Sequence, residues 1–218
     1  MGGGLDKDTL EAAGYFAGGF FARLLGKRPP LVCVTANPHK LSEYRALLGV
    51  KGLLKSGHDF PDISDPSIEA VAERKLRLAQ SNSQLKRVPF FLEVSGLEVH
   101  ALGGLPGGLT KHFIDRVRAA GICKMLRGFD EKDRAATAVT ALYFSYRGAA
   151  SQLVCGRVEG TITPEPQGDG GFDWDTIFIP EGRKKTFAQL GQEVKNQCSP
   201  RRVACDQLKV LLQSKGML

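Results

Sequence analysis

Two stretches of this chain carry side chains in an order suited to a phosphorylated ligand. The first, Thr35-Ala36-Asn37-Pro38-His39-Lys40, lies between an apolar run, Leu31-Val32-Cys33-Val34-Thr35, and a segment of helical spacing from Pro38 to Leu48. A strand-to-helix turn offers unbonded backbone N–H groups and the positive end of a helix dipole, which together seat an anion. Lys40 adds a point charge that suits a phosphate. Any such turn would look much the same, so this stretch alone names no ligand. The second is Glu93-Val94-Ser95-Gly96-Leu97-Glu98-Val99, which runs into Ala101-Leu102-Gly103-Gly104-Leu105-Pro106-Gly107, a strand ending in a glycine-rich turn. Two later stretches add aromatic and charged groups. Gly156-Arg157-Val158-Glu159-Gly160-Thr161-Ile162 leads to Gly171-Phe172-Asp173-Trp174-Asp175-Thr176-Ile177-Phe178, and Lys185-Thr186-Phe187-Ala188-Gln189-Leu190 precedes Lys195-Asn196-Gln197-Cys198-Ser199-Pro200-Arg201.

The elements that must position these groups alternate in type. The spacing predicts a helix from Pro66 to Ser81 capped by Ser64 or Asp65, and a buried strand over Pro89–Glu93. An amphipathic helix follows over Thr110–Leu126, carrying Phe113, Ile114, Val117, Ile122 and Leu126. Two longer strands, Ala135–Tyr146 and Gln152–Val158, flank a turn at Arg147-Gly148 and read as an antiparallel hairpin. A short strand at Ile177–Ile179 and a helix over Pro200–Ser214 complete the pattern. Helices interleaved with strands, plus one long hairpin, predict an α/β fold with a mixed sheet.

With 218 residues, 42% of them hydrophobic and 24% charged, the chain can bury a sizeable core and is not composed like a disordered protein. A net charge of +7 favours anionic partners but says nothing of fold. The five cysteines include no C-x-x-C pair and are odd in number, which argues against a disulfide framework or zinc site and for a reducing compartment. Basic clusters at Arg183-Lys184-Lys185 and Arg201-Arg202 lack aromatic interleaving, so nucleic acid is not an expected partner.

Residues 1–28 read as a separate helical extension to a domain over 29–218. Phe16, Phe20 and Leu24 recur at i, i+4 and i+8, and Gly14 and Gly18 permit close helix approach. Packing on the same domain, docking to a protein partner through residues 10–25 and lying on a membrane surface all fit this helix. A transmembrane span is not expected, because the apolar stretch is too short.

In this order and spacing the motifs resemble the inosine triphosphate pyrophosphatase family, whose members hydrolyse non-standard purine nucleoside triphosphates. The resemblance covers residues 31–213. It implies a two-lobed mixed-sheet α/β fold, usually a homodimer, with a purine nucleotide in the cleft. It also implies Mg²⁺-dependent cleavage between the α and β phosphates, yielding monophosphate and pyrophosphate. Thr35, Asn37 and Lys40 match the family's phosphate-binding loop. Glu93 matches the first acid of a Glu-Asp pair, and Asp62 falls where a metal-binding glutamate is usual. Phe172, Trp174 and Asp175 match the groups around the base, and Lys195, Asn196, Ser199 and Arg201 match the last motif.

The departures fall on reacting groups. Val94 replaces the aspartate that holds Mg²⁺ or activates water, Pro200 replaces a histidine, Asp173 a glycine and Thr176 a proline, and Gln189 stands where glutamate is common. Consecutive strand residues face opposite ways, so only a bulge would let Glu93 stand in for position 94. The expected role is therefore a catalytically impaired member kept as an interaction subunit of a larger assembly, with no cofactor, in the mitochondrion or alternatively the cytoplasm. One alternative is an active, divergent pyrophosphatase using Mg²⁺ on Asp62 and Glu93. The other is a nucleotide binder that does not cleave.

Overall fold

Helix caps set the element boundaries. In chain order these are β1 (Val32–Val34), α1 (Pro38–Leu48), β2 (Leu54–Ser56), α2 (Ile68–Ser81), β3 (Phe90–Val99), α3 (Thr110–Met125), β4 (Ala135–Ser145), β5 (Gln152–Ile162), β6 (Phe178–Pro180), α4 (Phe187–Cys198) and α5 (Pro200–Ser214). They belong to a computed structural model that describes residues 30–50, 52–146 and 149–218. The extension 1–28, with its helix over residues 10–25, and the turn at 147–148 lie outside the described residues.

α1 begins where Asn37 Oδ1 accepts the His39 N–H at 2.9 Å and the Lys40 N–H at 3.4 Å, with Pro38 in the first turn. It ends at Gly49 in the left-handed conformation, φ 64°. α2 starts later than its spacing suggests. Ser67, not Ser64 or Asp65, is the cap, accepting from Ala70 N at 3.1 Å, while Asp65 accepts from Ser67 N outside the helix. Pro66 is held out of α2 because its carbonyl accepts the Gly108 N–H at 2.7 Å. α5 starts as the spacing predicts, with Ser199 accepting from Arg202 N.

Two elements carry no clear periodic signal. β2 is three residues long, and α4 is kinked at Gly191, φ 76°, which shifts the phase of its apolar residues halfway. Gln189 completes a capping box at the start of α4, accepting the Thr186 N–H at 3.0 Å, a task in which glutamine serves as well as glutamate.

The six strands form one mixed sheet in the order β2-β1-β3-β4-β5-β6. β1 is parallel to β2 and β3, and the remaining pairs are antiparallel. On one face α1 and α5 pack Tyr44, Leu47, Leu208 and Leu212 against Phe91, Leu142 and Phe144. On the other, α2 packs Leu76 and Ala79 against Phe90 and Leu92, and Ile68, Val71 and Ala72 against Val94, Val139 and Ala141. The far halves of β3 and β4 enter a second lobe, where Leu97, Val99, Ala136 and Ala138 meet Ile114, Ile122, Trp174, Phe178 and Phe187. The architecture is thus the expected two-lobed α/β fold. Among the described residues no helix is long and apolar enough to cross a membrane.

The glycine-rich turn after β3 is a packing device. A Cβ on Gly96 would meet the Gly107 carbonyl and the Thr110 hydroxyl. That hydroxyl accepts the Leu97 N–H at 2.9 Å and donates to Gly107 O at 2.6 Å, clamping β3 to the start of α3.

β5 meets α5 just as closely. A Cβ on Gly156 would fall on the Pro200 carbonyl oxygen and within 2.8 Å of Ala204 N, both backbone atoms that cannot swing aside. Gly156→Ala is therefore expected to cost about 1–3 kcal/mol of stability. Gly128→Ala, whose new Cβ meets nothing within 4 Å, is the neutral control. Denaturant midpoints check this; equal midpoints for the two variants would contradict the packing.

Candidate active site

The two lobes enclose a cleft of about 580 Å³. Its wall gathers Thr35, Asn37, Lys40, Asp62, Glu93, Phe172, Trp174, Asp175, Lys195 and Arg201, with Val94, whereas Asn196 of the last motif lies outside it and accepts from Gln192 Nε2 at 2.8 Å. It also includes Lys75 and Lys111, which sequence reasoning passed over.

The β1–α1 turn forms one side. Thr35 Oγ1 accepts the Asn37 N–H at 3.1 Å, so the loop is closed on itself before α1 begins. Lys40 does not stand free at this helix end; its ammonium lies 2.9 Å from Glu93 Oε1.

Glu93 is the centre of a buried ionic cluster. Arg201 donates to it twice, Nε to Oε2 at 2.8 Å and Nη2 to Oε1 at 2.7 Å. The Tyr44 hydroxyl and, at 3.0 Å, the Ser95 hydroxyl donate as well. The third guanidinium nitrogen, Nη1, donates to Glu43. Glu43 also lies 3.4 Å from Lys195 Nζ, which donates to Asp175 Oδ2 at 2.6 Å. Three carboxylates, Glu43, Glu93 and Asp175, are thus matched by three cations, Lys40, Lys195 and Arg201.

Burial alone would push the Glu93 carboxyl up, but Arg201 and Lys40, with the hydrogen bonds from Arg201 and Tyr44, hold it well below the usual carboxylate range. Burial likewise opposes the Arg201 charge, and Glu93 and Glu43 more than offset it. Asp175 goes the other way: burial raises its carboxyl although Lys195 and the Phe172 N–H favour the anion.

In this arrangement the protein itself engages Glu93. A carboxylate already accepting from a guanidinium, an ammonium and two hydroxyls has no lone pair directed at a metal. Asp62 is held less fully: Lys75 Nζ lies at 2.6 Å and Lys111 Nζ at 3.8 Å, and the Asp62 side chain is 9% exposed against 3% for Glu93. β3 pairs with β4 without interruption from Phe90–Ser145 to Val99–Ala136, so no bulge turns Glu93 into the place of its neighbour. Val94 instead joins the apolar cluster of Ile68, Val71 and Val139 beneath α2 while lining the cleft. His58 also lines the cleft but serves the fold. Its Nδ1 lies 2.7 Å from Ser56 Oγ, its Nε2 3.0 Å from Asn82 Nδ2, and burial lowers its pKa.

Phe172 lies under the ammonium of Lys195, 4.2 Å from the ring centroid, and nearly parallel to His39 at 6.1 Å. Trp174 contributes only an edge to the cleft. It is 7% exposed and packs edge-on against Phe178 in the second lobe. The cysteines play no part: all five are free thiols, and burial pushes Cys205 up to about 12.

The depressed Glu93 pKa fixes the sign of a pH effect. Its stabilisation is complete above the unfolded-state value of 4.5 and drains away as pH falls below that. Asp175, raised in the folded state by burial, works in the opposite direction. Chemical denaturation between pH 7 and 3 should show stability falling below about pH 4.5. Glu93→Gln should start less stable and lose less over the same acid range; parallel losses in the two proteins would contradict the assignment.

Comparison with known proteins places this geometry. A profile of the Ham1 family matches residues 31–211. The inosine triphosphate pyrophosphatase of Schizosaccharomyces pombe is 32% identical over 186 residues, 85% of this chain and 96% of the relative. The dITP/XTP pyrophosphatase of Thermococcus kodakarensis is 39% identical over 174 residues, 78% of this chain and 90% of the relative. Among solved structures, a HAM1 protein from Coxiella burnetii superposes with a TM-score of 0.73 at 27% identity, covering 85% of this chain and 99% of that one. The profile match over residues 31–211, with identities of 32% and 39% across nearly the whole of these relatives, makes this chain a member of the Ham1 family.

Proposed function

We propose that this chain binds purine nucleoside triphosphates with non-standard bases in the interlobe cleft and hydrolyses them slowly to monophosphate and pyrophosphate. The observation that carries the reading is the convergence on one cleft of the α1 N-terminus, Lys40, Lys75 and Lys111 with the Phe172 ring. The relatives' names, pyrophosphatases of inosine and xanthine triphosphates, support the same substrate class.

Each group has a task set by its place. The positive end of the α1 dipole and the ammonium groups of Lys75 and Lys111 attract phosphate oxygens, while Phe172 offers a ring for the purine. Arg201, saturated by Glu43 and Glu93, orients the wall rather than gripping a phosphate. The cleft is not a simple anion trap. Asp59, Asp62, Glu93, Asp115, Asp173 and Asp175 line it against Lys40, Lys75, Lys111, Lys195 and Arg201. With six carboxylates facing five cations, a bare triphosphate gains no net attraction, whereas one accompanied by Mg²⁺ does.

The donor set fits a magnesium ion carried in on the triphosphate and touched by Asp62. It does not fit one clamped by protein carboxylates alone, because Val94 has no lone pair and Glu93 is engaged. Mg²⁺ commonly binds through one or two carboxylates plus substrate phosphates. When bound it neutralises the charge that builds on the departing pyrophosphate. With valine at position 94, no carboxylate there serves as base for the attacking water, a substitution worth about 10²–10⁴ in rate.

One observation favours a second reading, a non-catalytic subunit that docks to protein partners through residues 10–25. Val94 has been absorbed into the apolar packing beneath α2, as a position freed from catalysis would be.

Pyrophosphate release from inosine triphosphate with Mg²⁺ separates the two. Slow turnover is expected from the natural chain, and Val94→Asp should raise it by about 10²–10⁴. No release from either protein, with both folded, would contradict the pyrophosphatase reading and favour the second.

A further inference from the structure

Asp173 occupies a position built for glycine. Its φ is 56°, in the left-handed region where a side chain is disfavoured and only Asn and Asp are tolerated with any frequency. The turn that holds it there is fixed on both sides. Phe172 N–H donates to Asp175 Oδ2 at 2.9 Å, Asp175 N–H donates to Phe172 O at 3.1 Å, and the Asp175 carboxylate is anchored on Lys195.

The turn presents Asp173 at the cleft wall, exposed, between Phe172 and Trp174. Among the described residues its carboxylate accepts no hydrogen bond and pairs with no cation, unlike Glu93, Asp175 and Asp62. A side chain kept in an unfavourable backbone conformation, with nothing in the fold to satisfy it, contributes nothing evident to stability. Such strain gathers where ligands bind.

A free carboxylate only accepts hydrogen bonds, and it repels a second anion. Purine bases differ in this respect. Hypoxanthine is neutral near pH 7 and presents a ring N–H donor. Xanthine gives up a ring proton near neutral pH and becomes an anion. The phosphates belong at the lysine end of the cleft, so the base lies at the aromatic end, beside Asp173.

We propose that Asp173 is a specificity residue that turns this cleft against anionic bases, selecting hypoxanthine nucleoside triphosphates over xanthine ones. The inference rests on the proposed reading of the cleft as a purine nucleotide site, and it deepens that reading by dividing its substrate class. It sets this chain apart from relatives named for xanthine triphosphate.

Calorimetric titration of the full chain with inosine and xanthine triphosphates, in Mg²⁺ at pH 7.5, tests it alongside Asp173→Asn and Asp173→Gly. Neither substitution threatens the fold, since asparagine tolerates the left-handed region and glycine prefers it. The natural chain should bind the xanthine nucleotide about tenfold more weakly than the inosine nucleotide, a ratio that collapses towards one in both variants. Lowering the pH until xanthine is neutral should shrink the ratio in the natural chain and leave it unchanged in Asp173→Asn. An unaltered ratio across all three proteins would overturn the role of Asp173 while leaving the nucleotide site standing. Failure of all three to bind either nucleotide would overturn the site, and the inference with it.

Discussion

The pairing of Glu93 with Arg201 is the constraint around which the rest of the cleft is arranged. It joins the central strand of the sheet to the first turn of the last helix, and each partner brings others. Glu93 draws in Lys40 and Tyr44 from α1, and Arg201 draws in Glu43, which reaches Lys195 and through it the Phe172–Asp175 turn. Charges this deeply buried are tolerated only when every lone pair and proton finds a partner. Removing one member would leave the others unpaired in a low-dielectric interior. The position of the aromatic turn, in the second lobe, is therefore fixed by ion pairs anchored in the first.

The same constraint separates the two neighbours on β3. Strand alternation sends Glu93 towards α1 and α5 and Val94 towards α2. Glu93 is part of the scaffold, held by Arg201, Lys40 and Tyr44. The second position faced the apolar side of α2, where valine packs well and an aspartate would need an ion or water to satisfy it. Valine at position 94 is thus compatible with the fold, whereas Glu93 is tied into the ion pairs that hold it together. The chain belongs to a family of nucleoside triphosphate pyrophosphatases, and one cleft holds both Glu93, bound within the scaffold, and Val94.

Much of this was legible in the sequence because the signals are local. Asn37-Pro38 and Ser199-Pro200 each pair a cap with a first-turn proline, and both helices start where those dipeptides place them. The antiparallel pair β4–β5 follows from two strand-forming runs close together in sequence. What stayed hidden is non-local. Tyr44 and Arg201 lie 49 and 108 residues from Glu93, so nothing near Glu93 revealed that its carboxylate would be consumed. α4 escaped because Gly191 breaks its phase, and the cap of α2 was misplaced because Pro66 bonds to a distant turn. Lys75 could have been found: it follows Val71 by four residues and Ala72 by three, on the inward stripe of α2, where a lysine among apolar neighbours points to a buried partner or a site.

A double-mutant cycle on Glu93 and Arg201, measured by chemical denaturation at neutral pH, tests the account most directly. Glu93→Gln and Arg201→Met should each cost about 3–5 kcal/mol. The double variant should cost less than their sum by about 1–3 kcal/mol, because the two side chains answer the same need. Costs that add to within about 0.5 kcal/mol would show the two groups to be independent, and the cleft would then need another organiser.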